Sequence, residues 1–484
     1  MSSDGTNKAL RWTWVVTLLM ALALMANVTY VQGFEAQSLR DDPQNTRQYA
    51  NRDSIARGPI VAGGERIAWS DPVSKGRYQR HYKDSETFSP ITGYFSMFSQ
   101  TQIEGSENHI LDGTDARLKT TSLMDRILGK KVPGGTVETT VNPRAQRAAY
   151  QALAGSGARR AAAVALDPKT GAILVLASYP SYDANQVAVP NAKRAQAAFD
   201  RLNKDAMKPL LSKATGEVFP PGSTFKTVVA SSDLAGGATK DTQVRAGRSY
   251  KPRGAGQPIS NDAGDIGGDC DNASIPLITA YAQSCNTTFA FMGAEQPGNG
   301  GVSDQAARFG FYKKVEYDKG LASAVSSFPK TDQPSLSALG SIGQGSTVAT
   351  PLQMCMVAAA IANGGKAMRP YLVDRLRGAD GSVVQGATRV SLGQALNSDQ
   401  AGEMRQLMQE VVKSGTGKSL QGTSVGGGKT GTADIEGVSY NDRWFIGFGP
   451  GAGARYAVAV MTEAPGYGIE SGPIAAKIID ALGG

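Results

Sequence analysis

A serine one helical turn ahead of a lysine, Ser223-Thr224-Phe225-Lys226, is the pair in this chain best suited to covalent chemistry. A serine hydroxyl is a poor nucleophile until a base takes its proton, and a neutral lysine amine can be that base. Farther on stand Ser284-Cys285-Asn286 and then Lys429-Thr430-Gly431-Thr432. Together the three strings are equipped for acyl transfer. Ser223 would attack a carbonyl, with Lys226 taking its proton. Ser284 would relay a proton to the leaving nitrogen, and Asn286 would orient the substrate amide and the lysine. Lys429, Thr430, Gly431 and Thr432 would line a carboxylate site. Backbone N–H groups of Ser223 and Thr432 would form an oxyanion hole, where losing one donor typically costs ~3 kcal/mol. An ordinary lysine titrates near about 10.4, so keeping Lys226 neutral at pH 7 costs roughly 4–5 kcal/mol. Burial against Phe225 and repulsion from the second cation, Lys429, are the expected sources. Gly426 to Gly428 either let a backbone come close to Lys429 or form a flexible turn.

Each string alone is weak, because decoys are present. Ser327-Phe-Pro-Lys330 repeats the first spacing, Ser106-Glu-Asn108 the second and Lys169-Thr-Gly171 the third. A proline between Ser327 and Lys330 prevents a regular helical turn there. Lys169-Thr-Gly171 sits between two apolar runs, with Pro168 and Gly171 placed as turn residues. The chain has two histidines, His81 and His109, and both precede every catalytic string. A Ser-His-Asp triad or a histidine zinc site in the C-terminal two-thirds is therefore disfavoured. No metal or cofactor is expected. The string SGTGKS at 414–419 matches part of a phosphate loop but carries Val412 where that loop needs glycine.

The elements that must position these residues can be read from the pattern. With 484 residues the chain is long enough for two or three domains. Residues 12–31 run about 20 positions without a charge, one membrane span at roughly 1.5 Å per residue. Lys8 and Arg11 precede the run and Glu35 follows it. The positive-inside rule then leaves a cytoplasmic tail at 1–11 and puts the bulk of the chain outside the plasma membrane. A cleaved signal peptide is the alternative, but no Ala-x-Ala site ends the run. The net charge of +8 is met by a solvated surface or by a face toward anionic lipid or wall polymer. No basic block with interleaved aromatics points to nucleic acid. Three cysteines in an exported domain invite pairing. Cys270 and Cys285 are near enough in sequence to form a bridge, three free thiols being the alternative. Cys355 reads as a buried thiol.

Residues 35–138 are polar and arginine-rich, an irregular β-containing module that ends near 130–143. A helix from Asn142-Pro143 to about Leu153, a hairpin over 161–179, and helices over 223–235, 351–363, 398–412 and 472–482 follow. Strands are expected over 426–436 and 444–465. Strands flanked by helices in this order give an α+β fold with a central antiparallel sheet.

At this level the chain resembles class B, monofunctional penicillin-binding proteins. It is most similar to the actinobacterial penicillin-binding protein A subgroup. The likeness rests on the three motifs and on the strings FPPGSTFK, SIGQGSTVATPLQM and GGGKTGTA. It implies a transmembrane helix, a pedestal (dimerisation-like) domain at 35–138 and a transpeptidase domain at 139–484. It further implies attack by Ser223 on the D-Ala-D-Ala end of a peptidoglycan stem peptide, or of the lipid-linked wall precursor polymer. The acyl group then passes to an amine of a neighbouring strand, and β-lactams inhibit by acylating the same serine. With no room for a glycosyltransferase module, polymerisation would fall to a SEDS-type membrane polymerase. A D,D-carboxypeptidase is the nearest alternative, and a non-catalytic β-lactam sensor or wall scaffold lies farther off. A β-lactamase would need a deacylating Glu-x-x-x-Asn element, and no clear one stands between Ser284 and Lys429.

Overall fold

A computed structural model describes residues 3–35, 52–74, 76–118, 133–262 and 268–483. Residues 36–51, 75 and 119–132 of the expected 35–138 module, the last of these including the start of its expected boundary, lie outside them. The chain divides into two units, Met1–Ile55 and Ala56–Gly484.

The first unit holds one long helix, α1 (Ser3–Tyr30), whose stretch Asn7–Tyr30 is long and apolar enough to cross a membrane. The helix begins ahead of the apolar run, because Thr6 to Arg11 contain no breaker. Thr13, Thr17 and Thr29 turn their hydroxyls back onto the carbonyls four residues earlier, at 3.0, 2.9 and 2.8 Å. Each hydroxyl thus finds an acceptor within the helix, which suits it to an apolar medium.

In the second unit, strands β1 (Ile60–Ala62), β2 (Glu65–Ser74), β3 (Arg77–Tyr82) and β4 (Thr136–Thr139) come from the arginine-rich stretch. Their sheet is completed by a hairpin from much later in the chain, described below. The arginines have a specific use. Glu104 is fully buried and accepts from Arg57 Nη2 at 2.8 Å, Arg80 Nε at 2.6 Å and Tyr82 OH at 3.0 Å. Burial alone would raise its carboxyl, but the two guanidiniums outweigh it and hold the group below the ordinary carboxylate range.

Asn142 caps α2 (Pro143–Ala154) by accepting from Ala145 N at 3.1 Å, with proline at the first helical position. The alanine-rich β5 (Arg160–Leu166) and β6 (Ile173–Tyr179) form the expected hairpin. Gly171 turns it at φ 85°, so the first Lys-Thr-Gly is a turn tip. Helices α3 (Lys226–Ala235), α4 (Leu277–Ala282), α5 (Asn286–Ala294) and α6 (Pro351–Ala362) carry or back the site. The hairpin β7 (Val373–Arg377) and β8 (Val383–Gly386) then joins the first sheet, giving the order β8-β7-β4-β1-β2-β3. Helix α7 (Ser398–Lys413) opens with a capping box between Asn397 and Gln400. Strands β9 (Gly427–Asp434), β10 (Asn441–Gly449) and β11 (Tyr456–Ala464) and helix α8 (Gly472–Leu482) end the chain.

The central sheet runs β9-β10-β11-β5-β6, antiparallel throughout. Lys429 lies opposite Ile446, which lies opposite Ala459, which lies opposite Val164. Alternate residues face two separate cores. One contains α6, with Cys355 Sγ 3.5 Å from the carbonyls of Val164 and Ala457. The other contains α2 and α8, through Ala145, Ala149, Ile474 and Ile478. The small side chains of β5 let helices pack against both faces. Strand β9 is the edge of this sheet, and its outer side is where the site lies.

Candidate active site

The first motif does not open an α-helix directly. Gly222–Phe225 form a 3₁₀ turn, and α3 starts at Lys226. Prolines 220 and 221 have no N–H, and Gly222 has φ 52°, so the chain enters through a tight turn. Glycine is required here. A Cβ on Gly222 would lie 2.5 Å from Thr432 O, and one on Gly431 would lie 2.8 Å from Pro221 O. On the other side, Gly222 N donates to Gly343 O at 3.0 Å, and Trp444 Nε1 donates to Pro220 O at 2.9 Å. The turn bearing Ser223 is therefore clamped between edge strand β9 and the glycine loop of SIGQGST. Ser223 is half-buried; Lys226 and Lys429 are wholly buried.

Lys226 meets the second motif. Its Nζ donates to Ser284 O at 2.6 Å, Asn286 Oδ1 at 2.6 Å and Ser284 Oγ at 3.1 Å. An ammonium can donate to all three oxygens. A neutral amine can keep the Ser284 and Asn286 carbonyls while its lone pair takes a hydroxyl proton. Asn286 is oriented from behind, donating through Nδ2 to Asp262 Oδ1 at 3.2 Å and Ser260 O at 3.3 Å. Ser284 itself has φ 63°. A left-handed conformation costs a non-glycine residue on the order of 1–2 kcal/mol. It aims both the carbonyl and the hydroxyl of Ser284 at Lys226. Phe225, expected beside Lys226, instead stacks on Phe328 at 5.2 Å. The ring under Lys226 Nζ belongs to Phe289, 5.7 Å away on α5.

The third motif lies on β9. Lys429 Nζ donates to Thr430 O at 3.0 Å and sits 5.8 Å from the ring of Tyr281, three residues before Ser284. Tyr281 OH and Thr227 Oγ1 are 2.8 Å apart, tying α4 to α3. Thr432 Oγ1 accepts from Gly468 N at 3.0 Å. The three glycines before Lys429 are packed, not a loose turn. A Cβ on Gly426 would meet Gly451 O at 1.9 Å, and one on Gly428 the Phe445 ring at 2.3 Å. Cys270 and Cys285 form a disulfide with Cα atoms 5.5 Å apart, inside the second motif.

The decoys lie elsewhere. Ser327 pairs in an extended bridge with Val348, Lys169-Thr-Gly171 is at a hairpin tip, and Ser106-Glu-Asn108 belongs to short helices around Glu104. Phe289, Tyr281, Asp262 and Gly343 were not among the expected site residues. Gly343 lies in the glycine-rich string SIGQGSTVATPLQM, and Phe289 stands one turn after Asn286 on α5, so these two left a sequence signal.

Residues 161–482 match the penicillin binding protein transpeptidase domain, and residues 57–137 match the penicillin binding protein A dimerisation domain. The chain is 35% identical over 466 residues to the peptidoglycan D,D-transpeptidase PbpA of Mycobacterium tuberculosis, covering 94% of each.

The chain belongs to the penicillin-binding protein transpeptidase family.

Likeness to a second penicillin-binding protein, PbpA of Mycolicibacterium smegmatis, is 34% over 483 residues, covering 98% of this chain and 97% of that one. The crystal structure of M. tuberculosis PBPA superposes with a TM-score of 0.82 at 34% identity, covering 88% of this chain and 99% of that one. The penicillin G acyl-enzyme complex of M. tuberculosis penicillin-binding protein A also gives a TM-score of 0.82, at 33% identity, covering 89% and 100%.

Proposed function

We propose that this chain is a peptidoglycan D,D-transpeptidase working through an acyl-Ser223 intermediate and inhibited by β-lactams. The observation that carries the reading is Lys226 Nζ held by Ser284 and Asn286, residues 58 and 60 positions away in sequence. Ser223 Oγ attacks the carbonyl of the penultimate D-Ala while its proton passes to Lys226. The oxyanion points at the N–H groups of Ser223 and Thr432. Ser284 hands the proton from Lys226 to the leaving nitrogen, the C–N bond breaks, and D-Ala departs. An amine on a neighbouring stem then attacks the ester, gives up its proton through the same relay, and frees Ser223. Lys429, Thr430 and Thr432 hold the terminal carboxylate of the donor, and Gly431 keeps β9 close enough to Pro221 to share it.

The domain reading is a tail at 1–11, a span at 12–31, a pedestal at 35–138 and a transpeptidase domain at 139–484. The two family matches and the apolar stretch Asn7–Tyr30 support it. Lys8 and Arg11 ahead of the span favour a bulk outside the plasma membrane. The partner proposed for strand polymerisation is a SEDS-type membrane polymerase.

Mass spectrometry of the full chain with a thioester stem-peptide donor, with and without an amine acceptor, tests the reaction class. Transfer to the amine is the expected product. Hydrolysis that no amine diverts would favour a carboxypeptidase, and an absence of acylation a sensor or scaffold. The penicillin adduct is expected to persist for many minutes, since no clear deacylating element stands between Ser284 and Lys429: in the match Glu295–Asn299 the carboxylate accepts from Tyr250 OH at 2.9 Å and the amide donates to Pro329 O at 2.8 Å. An adduct that cleared within seconds would favour a β-lactamase.

The Cys270–Cys285 bridge closes a short loop onto the second motif. Its loss is expected to reduce stability by about 3 kcal/mol in the chain-entropy model. Denaturant unfolding of the Cys270→Ser/Cys285→Ser pair variant measures this, and acylation should persist because neither sulfur takes part in the chemistry. Two free thiols in non-reducing peptide maps of exported protein would remove the bridge from the account.

A further inference from the structure

The string Ser414-Gly415-Thr416-Gly417 fails as a phosphate loop, yet it lies where the second and third motifs meet. It leaves the end of α7 and runs between α4 and edge strand β9. Thr416 N donates at 3.1 Å to the carbonyl of Ala282, two residues before Ser284. Gly415 is so close that a Cβ there would lie 2.2 Å from the same carbonyl. Gly417 N then closes the loop onto its own helix, donating to Val411 O at 2.9 Å. The backbone of Thr416 is thus held on both sides. Its side chain reaches β9, with Oγ1 2.7 Å from Thr430 Oγ1.

One proton lies between two hydroxyls in such a bond, so one donates and the other accepts. A substrate carboxylate is acceptor-only. When Thr430 points its proton at a carboxylate, the proton in the Thr416–Thr430 bond must come from Thr416. Each hydrogen bond in the chain strengthens the next. We propose that Thr416 is a positioning residue that commits Thr430 to donation and so sets the preference of the site for a donor ending in a free carboxylate. This rests on the carboxylate role given above to Thr430. It also gives the loop after α7 a part in specificity that needs no contact with substrate.

The test measures acylation rate constants of full-length protein in detergent with two thioester donors, one ending in a free carboxylate and the other its methyl ester. The ratio of the two is read within each variant, so any loss of active protein cancels. Thr416→Val is expected to slow the acid donor about fivefold and the ester less than about twofold, the scale of one neutral hydrogen bond. Thr416→Ser keeps the hydroxyl and is expected to restore the ratio. An unchanged ratio in Thr416→Val, or equal slowing of both donors, overturns the proposal. A wild-type protein that does not prefer the acid donor would instead overturn the carboxylate role of Thr430, a separate failure.

Discussion

Ser223→Ala is expected to abolish both covalent labelling by β-lactams and peptide transfer. The nucleophile is the one group whose bond to the substrate defines the intermediate, and removing such a serine typically costs on the order of 10⁶ in rate. The fold should survive. Ser223 is half-buried in a turn held by Gly343 O and by the close approach of Thr432, contacts that use the backbone. Intact-mass analysis after incubation with penicillin should show one adduct on wild-type protein and none on the variant. Digestion should place that adduct on the peptide containing Ser223. An adduct on the peptide containing Ser327 would refute the assignment, although the bridge from Ser327 to Val348 puts that serine in extended backbone with no lysine a helical turn away.

Lys226→Ala is the second large effect. General-base catalysis is typically worth 10² to 10⁴, and the acylation rate constant should fall by about that factor. Lys226 Nζ also holds the Ser284 carbonyl, the Ser284 hydroxyl and the Asn286 amide, so its loss releases the second motif as well. The two contributions separate in the double variant. If the lysine acts as a base through Ser284, adding Ser284→Ala to Lys226→Ala should cost much less than Ser284→Ala alone, since residues of one unit are non-additive. Stopped-flow acylation with a chromogenic cephalosporin reads all four proteins. Independent, multiplicative losses would sink the shared relay.

Several features were legible in the sequence because they depend on neighbours in the chain. The apolar run of α1 needs only length and composition. The hairpin at Asp167–Gly171 needs Pro168 and a glycine able to take φ 85°. The start of α2 at Asn142-Pro143 is a local capping rule. Separating Ser223 from Ser327 needed only the effect of one proline. Where local reading slipped, the cause was also local competition. The tight entry at Pro220-Pro221-Gly222 made the first turn 3₁₀, so α3 begins at the lysine and not at the serine.

The sequence by itself determined the kind of chemistry, since only certain side chains make a nucleophile, a base and a carboxylate clamp, and these stand in three ordered strings. What tertiary structure decided is which atoms face one another. It put Phe289, not Phe225, under Lys226, and Asp262 behind Asn286. It used Arg57 and Arg80 to neutralise buried Glu104, and brought the hairpin at 373–386 into a sheet begun at residue 60. It also set Gly343 against Gly222 and Thr416 against Thr430. The physical reason is common to all of these. Each contact joins segments whose meeting depends on how whole elements fill the two cores beside the central sheet, and packing over that distance leaves no periodic trace in either segment.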